Sequence, residues 1–289
     1  MIPSEGTSTA PTGASSHPTG ASSHPSQAFP GKELRRQSRR SDDAWSVRLL
    51  QIVTVVALVA GWELVARAGW VDPLFVPSPS NVVRACGNVG ATALWGLADT
   101  LLKTLIAYVL SVVLGVALGI VLGSVRHLRE AVNPFVVALY GMPKILVLPW
   151  IVLIFGFGVL PAIVYGTIHG LFPIMILVIG GVRDVDRSLV TVARSLGATP
   201  WQLYRKVILP AVVPSVLAGM RVGIVFCLLG VLVVEMFAGI RGMGYVLSTL
   251  ANSFDAAGLF AATALVSTAS IAIVLSLDVL NDRLSRWRG

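Results

Sequence analysis

Residues 183–214 read RDVDRSLVTVARSLGATPWQLYRKVILPAVVP, a charged and amphipathic loop that lies between two long apolar segments of the chain. A protein with several membrane spans has little reason to build such a loop unless a partner in the cytoplasm binds it. The alternative is an amphipathic segment that lies on anionic lipid. The loop therefore predicts a membrane protein with a docking element for a partner.

A helix, a tight turn and a second helix are predicted within this loop. Asp184 and Asp186 stand near the start of the first helix, where carboxylates favour the positive helix end. Gly197 stands where that helix would end, because glycine adopts the left-handed conformation without strain. Thr199 and Pro200 then suit the cap and first turn of a second helix. The first helix repeats apolar residues on one face, at Leu189, Val192, Ala193 and Leu196.

The composition indicates a membrane protein. Hydrophobic residues make up 55% of the chain and charged residues 12%, whereas a soluble domain carries about 25% charged residues. Several apolar runs of about 20 residues predict an all-α, polytopic membrane bundle. The net charge of +8 is explained by Lys and Arg residues that lie on one side of the predicted membrane topology, so we expect no nucleic-acid partner. Cys86 and Cys227 lie far apart in the sequence, and we expect neither a disulfide nor a metal site.

Residues 1–46 differ from the rest of the chain. They are rich in Ser, Pro, Thr and Gly and contain a tandem duplicate, PTGASSH at 11–17 and again at 18–24. Such a composition predicts a disordered tail. The run KELRRQSRR at 32–40 directly precedes an apolar span, which is typical of a cytoplasmic anchor. The transmembrane domain is accordingly predicted to occupy residues 47–289.

Six apolar spans are predicted, at residues 47–68, 96–124, 131–155, 158–182, 211–237 and 256–280. An even number of crossings puts both termini on one side of the membrane. Sixteen of the 22 Lys and Arg residues then fall on that side. Because short cytoplasmic loops carry an excess of Lys and Arg, both termini and the loop 183–210 are predicted to be cytoplasmic.

Span three contains Pro143 and Pro149, each of which removes an intrahelical hydrogen bond. We expect a helix broken twice at membrane depth, with its freed backbone groups satisfied by neighbouring helices or a water-filled cavity. Lys144, Pro143 and Pro149 are therefore candidates for the translocation pathway, and for Lys144 the alternative is a structural pair or a carbonyl cap. His169 and Glu235 are further candidates, because ionisable side chains inside a membrane face protein or water. For His169 the alternative is an interhelical hydrogen bond.

Catalysis finds no support in the sequence. A Gly-rich phosphate loop with Lys-Ser/Thr is absent, as are a Ser-containing elbow, a His-Glu zinc pattern and an Asp pair within a span. We therefore expect a chain without catalytic residues. An intramembrane enzyme and a secondary transporter are the alternatives. A secondary transporter predicts inverted repeats and charged relays in several spans, and the sequence shows neither.

The loop resembles the signature of ABC importer permeases, which reads Glu-Ala-Ala, three residues, Gly, nine residues, Ile, one residue and Leu-Pro. The matching residues here are Ala193, Gly197, Val207, Leu209 and Pro210. Thr191 and Val192 stand where the family usually has Glu and Ala. Outside the loop, the chain resembles the nitrate, sulfonate and taurine branch through PSPSNVV at 77–83, Met142-Pro143-Lys144, Pro149, FGFG at 155–158, Phe172-Pro173 and Gly181-Val182.

The resemblance spans about residues 70–285 and implies the type I ABC importer permease fold in a bacterial cytoplasmic (inner) membrane. It implies that an external binding protein delivers a small, anionic or organic solute to a pair of permeases, here expected as a homodimer. It also implies an ABC ATPase dimer that holds ATP and Mg, so that this chain binds no cofactor itself. The ATPase-coupling residues would be Leu189, Val192, Ala193, Leu196, Gly197, Thr199, Pro200, Leu209 and Pro210.

Overall fold

The structure is a computed structural model that describes residues 31–285, with side chains for residues 45–87 and 90–279. Its helices in chain order are α1 (Gly31–Arg67), α2 (Pro79–Ser124), α3 (Arg126–Gly141), α4 (Leu148–Phe155), α5 (Val159–Arg183), α6 (Arg187–Ser195), α7 (Pro200–Leu203), α8 (Leu209–Ala238), α9 (Met243–Asn252) and α10 (Ala256–Ser285). The chain divides into two units, residues 1–57 and 58–289. The described part of the first unit is entirely helical.

The prediction of an all-helical bundle with about six spans is confirmed. Five of the described helices are long and apolar enough to cross a membrane, and a bent helix pair makes a sixth. The first helix begins at Gly31, so residues 31–46 are helical, although their composition predicts a disordered tail. Lys, Arg, Glu and Gln are good helix formers, and a helix extends more easily than it nucleates. The prediction for residues 1–30 lies outside the described residues.

Helix α5 lies at the centre of the second unit and packs against α2 and α8. Its residues Ile174 and Val178 are fully buried and form a cluster with Val212 of α8. A second cluster joins Tyr165 of α5 to Val231 of α8. A helix that is apolar on all sides is expected in such a central position.

Three glycines of α2 allow this helix to approach α5 closely. Gly115, Gly119 and Gly123 face residues of α5. A Cβ atom on Gly119 would lie only 2.6 Å from the Cβ of Val178. This row of small residues, which recur every four positions, therefore forms a close helix–helix contact, as such rows commonly do in membrane proteins.

Gly119→Ala is expected to lower the melting temperature of the purified protein. The added methyl must push Val178 away, and overpacking of this kind costs about 1–3 kcal/mol. Gly180→Ala in α5 is the matched control, since nothing lies within 4 Å of a Cβ built there. Thermal unfolding of both variants measures the difference, and equal melting temperatures would contradict the close contact.

The third predicted span is broken once rather than twice. Its two halves meet at an angle of 91°, with Pro143 directly before a 3-10 turn at Lys144–Val147. Pro149 lies in the first turn of α4. The prediction of a second break there was wrong. The first N–H groups of a helix have no intrahelical acceptor, so a proline in the first turn removes no hydrogen bond.

The helix that contains the fifth span is longer than the predicted 211–237. Helices α7 and α8 are joined by a π-helical turn at Tyr204–Ile208 into one run over Pro200–Ala238. The backbone N–H of Leu209 donates to the carbonyl of Tyr204, one residue further back than in an α-helix. This wider turn accommodates Pro210, whose ring would clash with the carbonyl four residues earlier.

Candidate functional site

Helix α6 begins with a side-chain cap. Asp186 is the N-cap, and the backbone N–H of Ser188 donates to its Oδ1 at 2.8 Å. This hydrogen bond lowers the pKa of the Asp186 carboxyl below its usual value. The cap therefore stays ionised at neutral pH, beside the positive end of the helix.

The end of α6 has the geometry of a Schellman motif. Gly197 adopts φ +76°, and its N–H donates to the carbonyl of Arg194 at 2.9 Å. The N–H of Ala198 donates to the carbonyl of Ala193 at 3.0 Å. These two hydrogen bonds satisfy carbonyl groups that have no partner within the helix. Helix α6 therefore ends where Gly197 predicts its end.

A capping box starts the next helix. Thr199 Oγ1 accepts from the N–H of Gln202 at 3.3 Å, and Gln202 Oε1 accepts from the N–H of Thr199 at 2.9 Å. Pro200 occupies the first turn. Both ends of the turn between α6 and α7 are thus held by local hydrogen bonds, so the orientation of α6 is defined by the loop itself.

The outer side of α6 carries a docking face, which consists of Leu189, Val192, Ala193 and Leu196. Leu189 and Val192 are exposed, and Leu196 is 82% exposed. Exposed apolar patches on a well-capped helix mark a surface for a partner. Of the other predicted coupling residues, Leu209 is exposed and lies with Pro210 in the first turn of α8, beyond the π turn.

Lys144 lies at the break between α3 and the following turn. Its Nζ donates to the carbonyl of Tyr140 at 3.1 Å and lies 4.8 Å from the centre of the Tyr140 ring. The Phe172 ring of α5 is 5.7 Å away. The carbonyl of Tyr140 belongs to the last turn of α3, whose acceptors have no partner within the helix. This geometry agrees with the carbonyl-cap alternative, and a pathway role for Lys144 stays a prediction.

Lys144→Met is expected to reduce transport and to lower stability modestly. The variant loses a charge-assisted hydrogen bond at a partly exposed site, worth about 1 kcal/mol. Uptake into proteoliposomes and the melting temperature of the purified protein are the measurements. Lys144→Arg is the control that keeps a donor and a cation. Full uptake with an unchanged melting temperature in Lys144→Met would contradict both roles.

His169 is buried in α5, with the Tyr165 ring 4.5 Å from its own. Its Nδ1 has no hydrogen-bond partner within the described part of the chain. The expected interhelical hydrogen bond is thus absent at this nitrogen. Helix α8 passes directly over the imidazole, because a Cβ on Gly230 would lie 3.0 Å from the His169 Cβ.

Glu235 belongs to what we call the buried polar network, which has Thr100, Lys103 and Glu235 in its buried part and Asp99 and the exposed Arg241 at its edge. Lys103 Nζ lies 2.8 Å from Glu235 Oε1, and their side chains are 3% and 0% exposed. Thr100 Oγ1 donates to Glu235 Oε2 at 2.6 Å. Lys103 also pairs with Asp99, which in turn pairs with Arg241. The negative charges of Asp99 and Glu235 are therefore balanced by the positive charges of Lys103 and Arg241.

The buried polar network holds the start of α9. The N–H of Gly244 donates to Glu235 Oε2 at 3.0 Å, and the N–H of Met243 donates to Thr100 Oγ1 at 2.7 Å. Lys103 Nζ donates to the carbonyl of Arg241 at 3.2 Å. Free N–H groups at a helix start attract a carboxylate. This places Glu235 in a structural role, and its predicted role in the pathway stays a prediction.

Sequence reasoning missed Asp99, Thr100 and Lys103. The signal was present, because Asp99 and Lys103 stand four residues apart inside an apolar span. A charge at that depth needs a partner, and Glu235 is the carboxylate nearest the same membrane face in span five. Arg221 of α8 likewise has a partner, since its Nη2 lies 2.9 Å from Asp278 Oδ2.

Comparison with known proteins agrees with this architecture. Residues 90–288 match the family model described as binding-protein-dependent transport system inner membrane component. The chain is 31% identical over 237 residues to the riboflavin transport system permease protein RibX of Chloroflexus aurantiacus, covering 81% of this chain and 88% of RibX. It is 28% identical over 262 residues to the taurine transport system permease protein TauC of Escherichia coli, covering 87% and 95%.

A solved structure has the same fold. The inward-facing MetNI methionine ABC transporter superposes with a TM-score of 0.59 at 22% identity, over 69% of this chain and 97% of the matched chain. The helical fold of this chain is therefore one that is already seen in a membrane transporter.

Proposed function

The chain belongs to the family of binding-protein-dependent transport system inner membrane components, and on this premise we propose how it works as the permease subunit of an ABC importer. The observation that carries this proposal is the exposed docking face on α6, a helix that begins at the Asp186 cap and ends at the Schellman turn.

The docking face binds an ABC ATPase dimer. Four apolar side chains on one face of α6 offer a hydrophobic contact, and the short capped loop transmits force because local hydrogen bonds hold it at both ends. ATP and Mg bind to that ATPase, so the permease itself is not catalytic and carries no cofactor. Thr191 stands where the family usually has Glu, so the contact here relies on apolar packing.

The solute is a small anionic or organic molecule that an extracytoplasmic binding protein delivers. The names of the relatives support this class, since RibX and TauC are named for riboflavin and taurine transport. The permease works as a pair, expected as a homodimer, in the bacterial cytoplasmic membrane. Both termini and the loop 183–210 face the cytoplasm, where the ATPase can reach α6.

Purification of the tagged chain from its native membrane tests the partnership. An ATPase subunit and a second permease copy should co-purify, and mass spectrometry of the associated binding protein should identify the solute. Reconstituted vesicles should then take up this solute only with the binding protein and ATP. Uptake driven by an ion gradient without any ATPase would support a secondary transporter and contradict the proposal.

The orientation has its own test in single-cysteine labelling of intact cells. Cys86 is exposed, so the test starts from Cys86→Ser. Trp201→Cys, at a position that is 71% exposed, should resist an impermeant external reagent. Trp70→Cys, on the opposite side in the predicted topology, should label readily and serves as the control. Rapid external labelling at position 201 would overturn the assignment.

A further inference from the structure

A basic cavity of about 300 Å³ lies between the inner side of α6 and the ends of α2 and α5. Four arginines line it, namely Arg129, Arg183, Arg187 and Arg194. Ser124 and Tyr204 add hydroxyl groups to the lining, and no lining residue is acidic. A cavity of this size and charge fits a small anionic group.

These arginines have little internal compensation. Among the described residues, none of the ion pairs includes Arg129, Arg183, Arg187 or Arg194. Arg129 Nη1 donates to the carbonyl of Gly123 at 3.0 Å, which caps α2. The ends of α2 and α5 contribute roughly half a negative charge each. About three positive charges therefore remain without a counter-charge.

The carboxylates nearest in sequence do not fill this gap. Asp186 is occupied by its cap on Ser188, and neither Asp184 nor Asp186 lines the cavity. Glu130 pairs with Arg126 at 2.8 Å. The cluster can therefore accept an external anion without competition from a carboxylate in the lining.

The position of the cavity, on one face of α6 and at the ends of two spans, indicates the source of that anion. Arg187, Val190 and Arg194 recur at i, i+3 and i+7, so they share one face of α6. The docking face, at Leu189, Val192 and Leu196, lies on another side of the helix. The cavity lies instead where two membrane spans end, at Ser124 and Arg183. This is the depth at which phospholipid headgroups lie.

We propose that the basic cavity binds the phosphate of an anionic phospholipid headgroup from the cytoplasmic leaflet. Arginine suits this task because its planar fork forms paired, charge-assisted hydrogen bonds to phosphate oxygens. Basic pockets between spans on the cytoplasmic side are sites of this kind. A bound headgroup would hold the inner side of α6 to the membrane while the docking face stays free.

The test compares two double variants of the full-length permease in nanodiscs. Arg187→Gln/Arg194→Gln removes two lining charges, and Arg205→Gln/Lys206→Gln removes two exposed charges of the same loop that do not line the cavity. Nanodiscs of phosphatidylcholine are prepared with and without phosphatidylglycerol. Bound lipid is counted by native mass spectrometry, and stability is followed by melting temperature. Because the permease is assayed alone, failure here leaves the proposed transport function untouched.

We expect the lining variant to bind phosphatidylglycerol roughly thirty-fold more weakly, since each lost arginine–phosphate hydrogen bond weakens binding about fivefold. The control should lose clearly less, because its charges attract the anionic membrane surface but do not contact the bound headgroup. Arg187→Lys/Arg194→Lys should fall between, as it keeps the charges without the paired geometry. Equal melting temperatures in pure phosphatidylcholine establish that all variants fold.

Three results would overturn the proposal. Equal lipid loss in both double variants would mean generic attraction to the membrane surface. Stabilisation of the wild type by inorganic phosphate as strongly as by phosphatidylglycerol would assign the cavity to a free anion. Unchanged lipid binding in Arg187→Gln/Arg194→Gln would show that these arginines do not hold a headgroup.

Discussion

Replacing Lys103 with Met should destabilise the permease by about 3–5 kcal/mol, the usual cost of removing one partner from a buried ion pair. Glu235 would be left fully buried with its charge uncompensated, and Asp99 would keep only Arg241 as a partner. The start of α9 should loosen as well, because its N–H groups are held by the same carboxylate and by Thr100. Melting temperature and the yield of purified protein are the measurements.

A second substitution separates the ion pair from general packing. Lys103→Met/Glu235→Gln removes both charges, while the Gln oxygen can still accept from Thr100 and Gly244. The double variant should therefore be more stable than Lys103→Met alone. Arg67→Met is the control, since Arg67 pairs with Glu63 but is 67% exposed, and exposed pairs contribute about 0–1 kcal/mol. A melting temperature in Lys103→Met equal to that of the control would refute the structural role of the network.

Leu196→Asp should abolish coupling between ATP hydrolysis and transport while the permease itself stays folded. Leu196 is 82% exposed in the permease, so the substitution removes little internal packing. In the complex, the new carboxylate would be buried against the ATPase without a partner, which costs several kcal/mol. We expect ATPase binding to weaken at least about a hundredfold. Binding of purified ATPase and solute-stimulated ATP hydrolysis are the readouts.

Ser195→Asp is the matched control for this experiment. Ser195 is the neighbouring residue, is exposed and lies outside the docking face, so both variants place a carboxylate at the same helix end. Wild-type coupling in Ser195→Asp together with lost coupling in Leu196→Asp would support the docking face. Loss of coupling in both variants would assign the effect to charge near the helix end. Wild-type coupling in both variants would contradict the docking face.

The sequence by itself determined the features whose causes are local. Gly197 ends α6 and Thr199 caps α7 because both effects depend on hydrogen bonds within a few residues. The spans follow from hydropathy, because a lipid environment leaves helices as the only way for these segments to satisfy their backbone groups. The four-residue spacing of Gly115, Gly119 and Gly123 allows a close helix contact, but the packing against α5 was needed to show it.

Only the tertiary structure decided which distant residues meet. Lys103 and Glu235 are 132 residues apart in the chain, and their contact depends on how α2, α8 and α9 pack together. The basic cavity likewise collects arginines from α3, α5 and α6. Pro143 and Pro149 look alike in the sequence, yet one bends the span and the other starts a helix. The reason is physical: caps and turns depend on neighbours along the chain, whereas ion pairs, cavities and bends depend on the packing of whole helices.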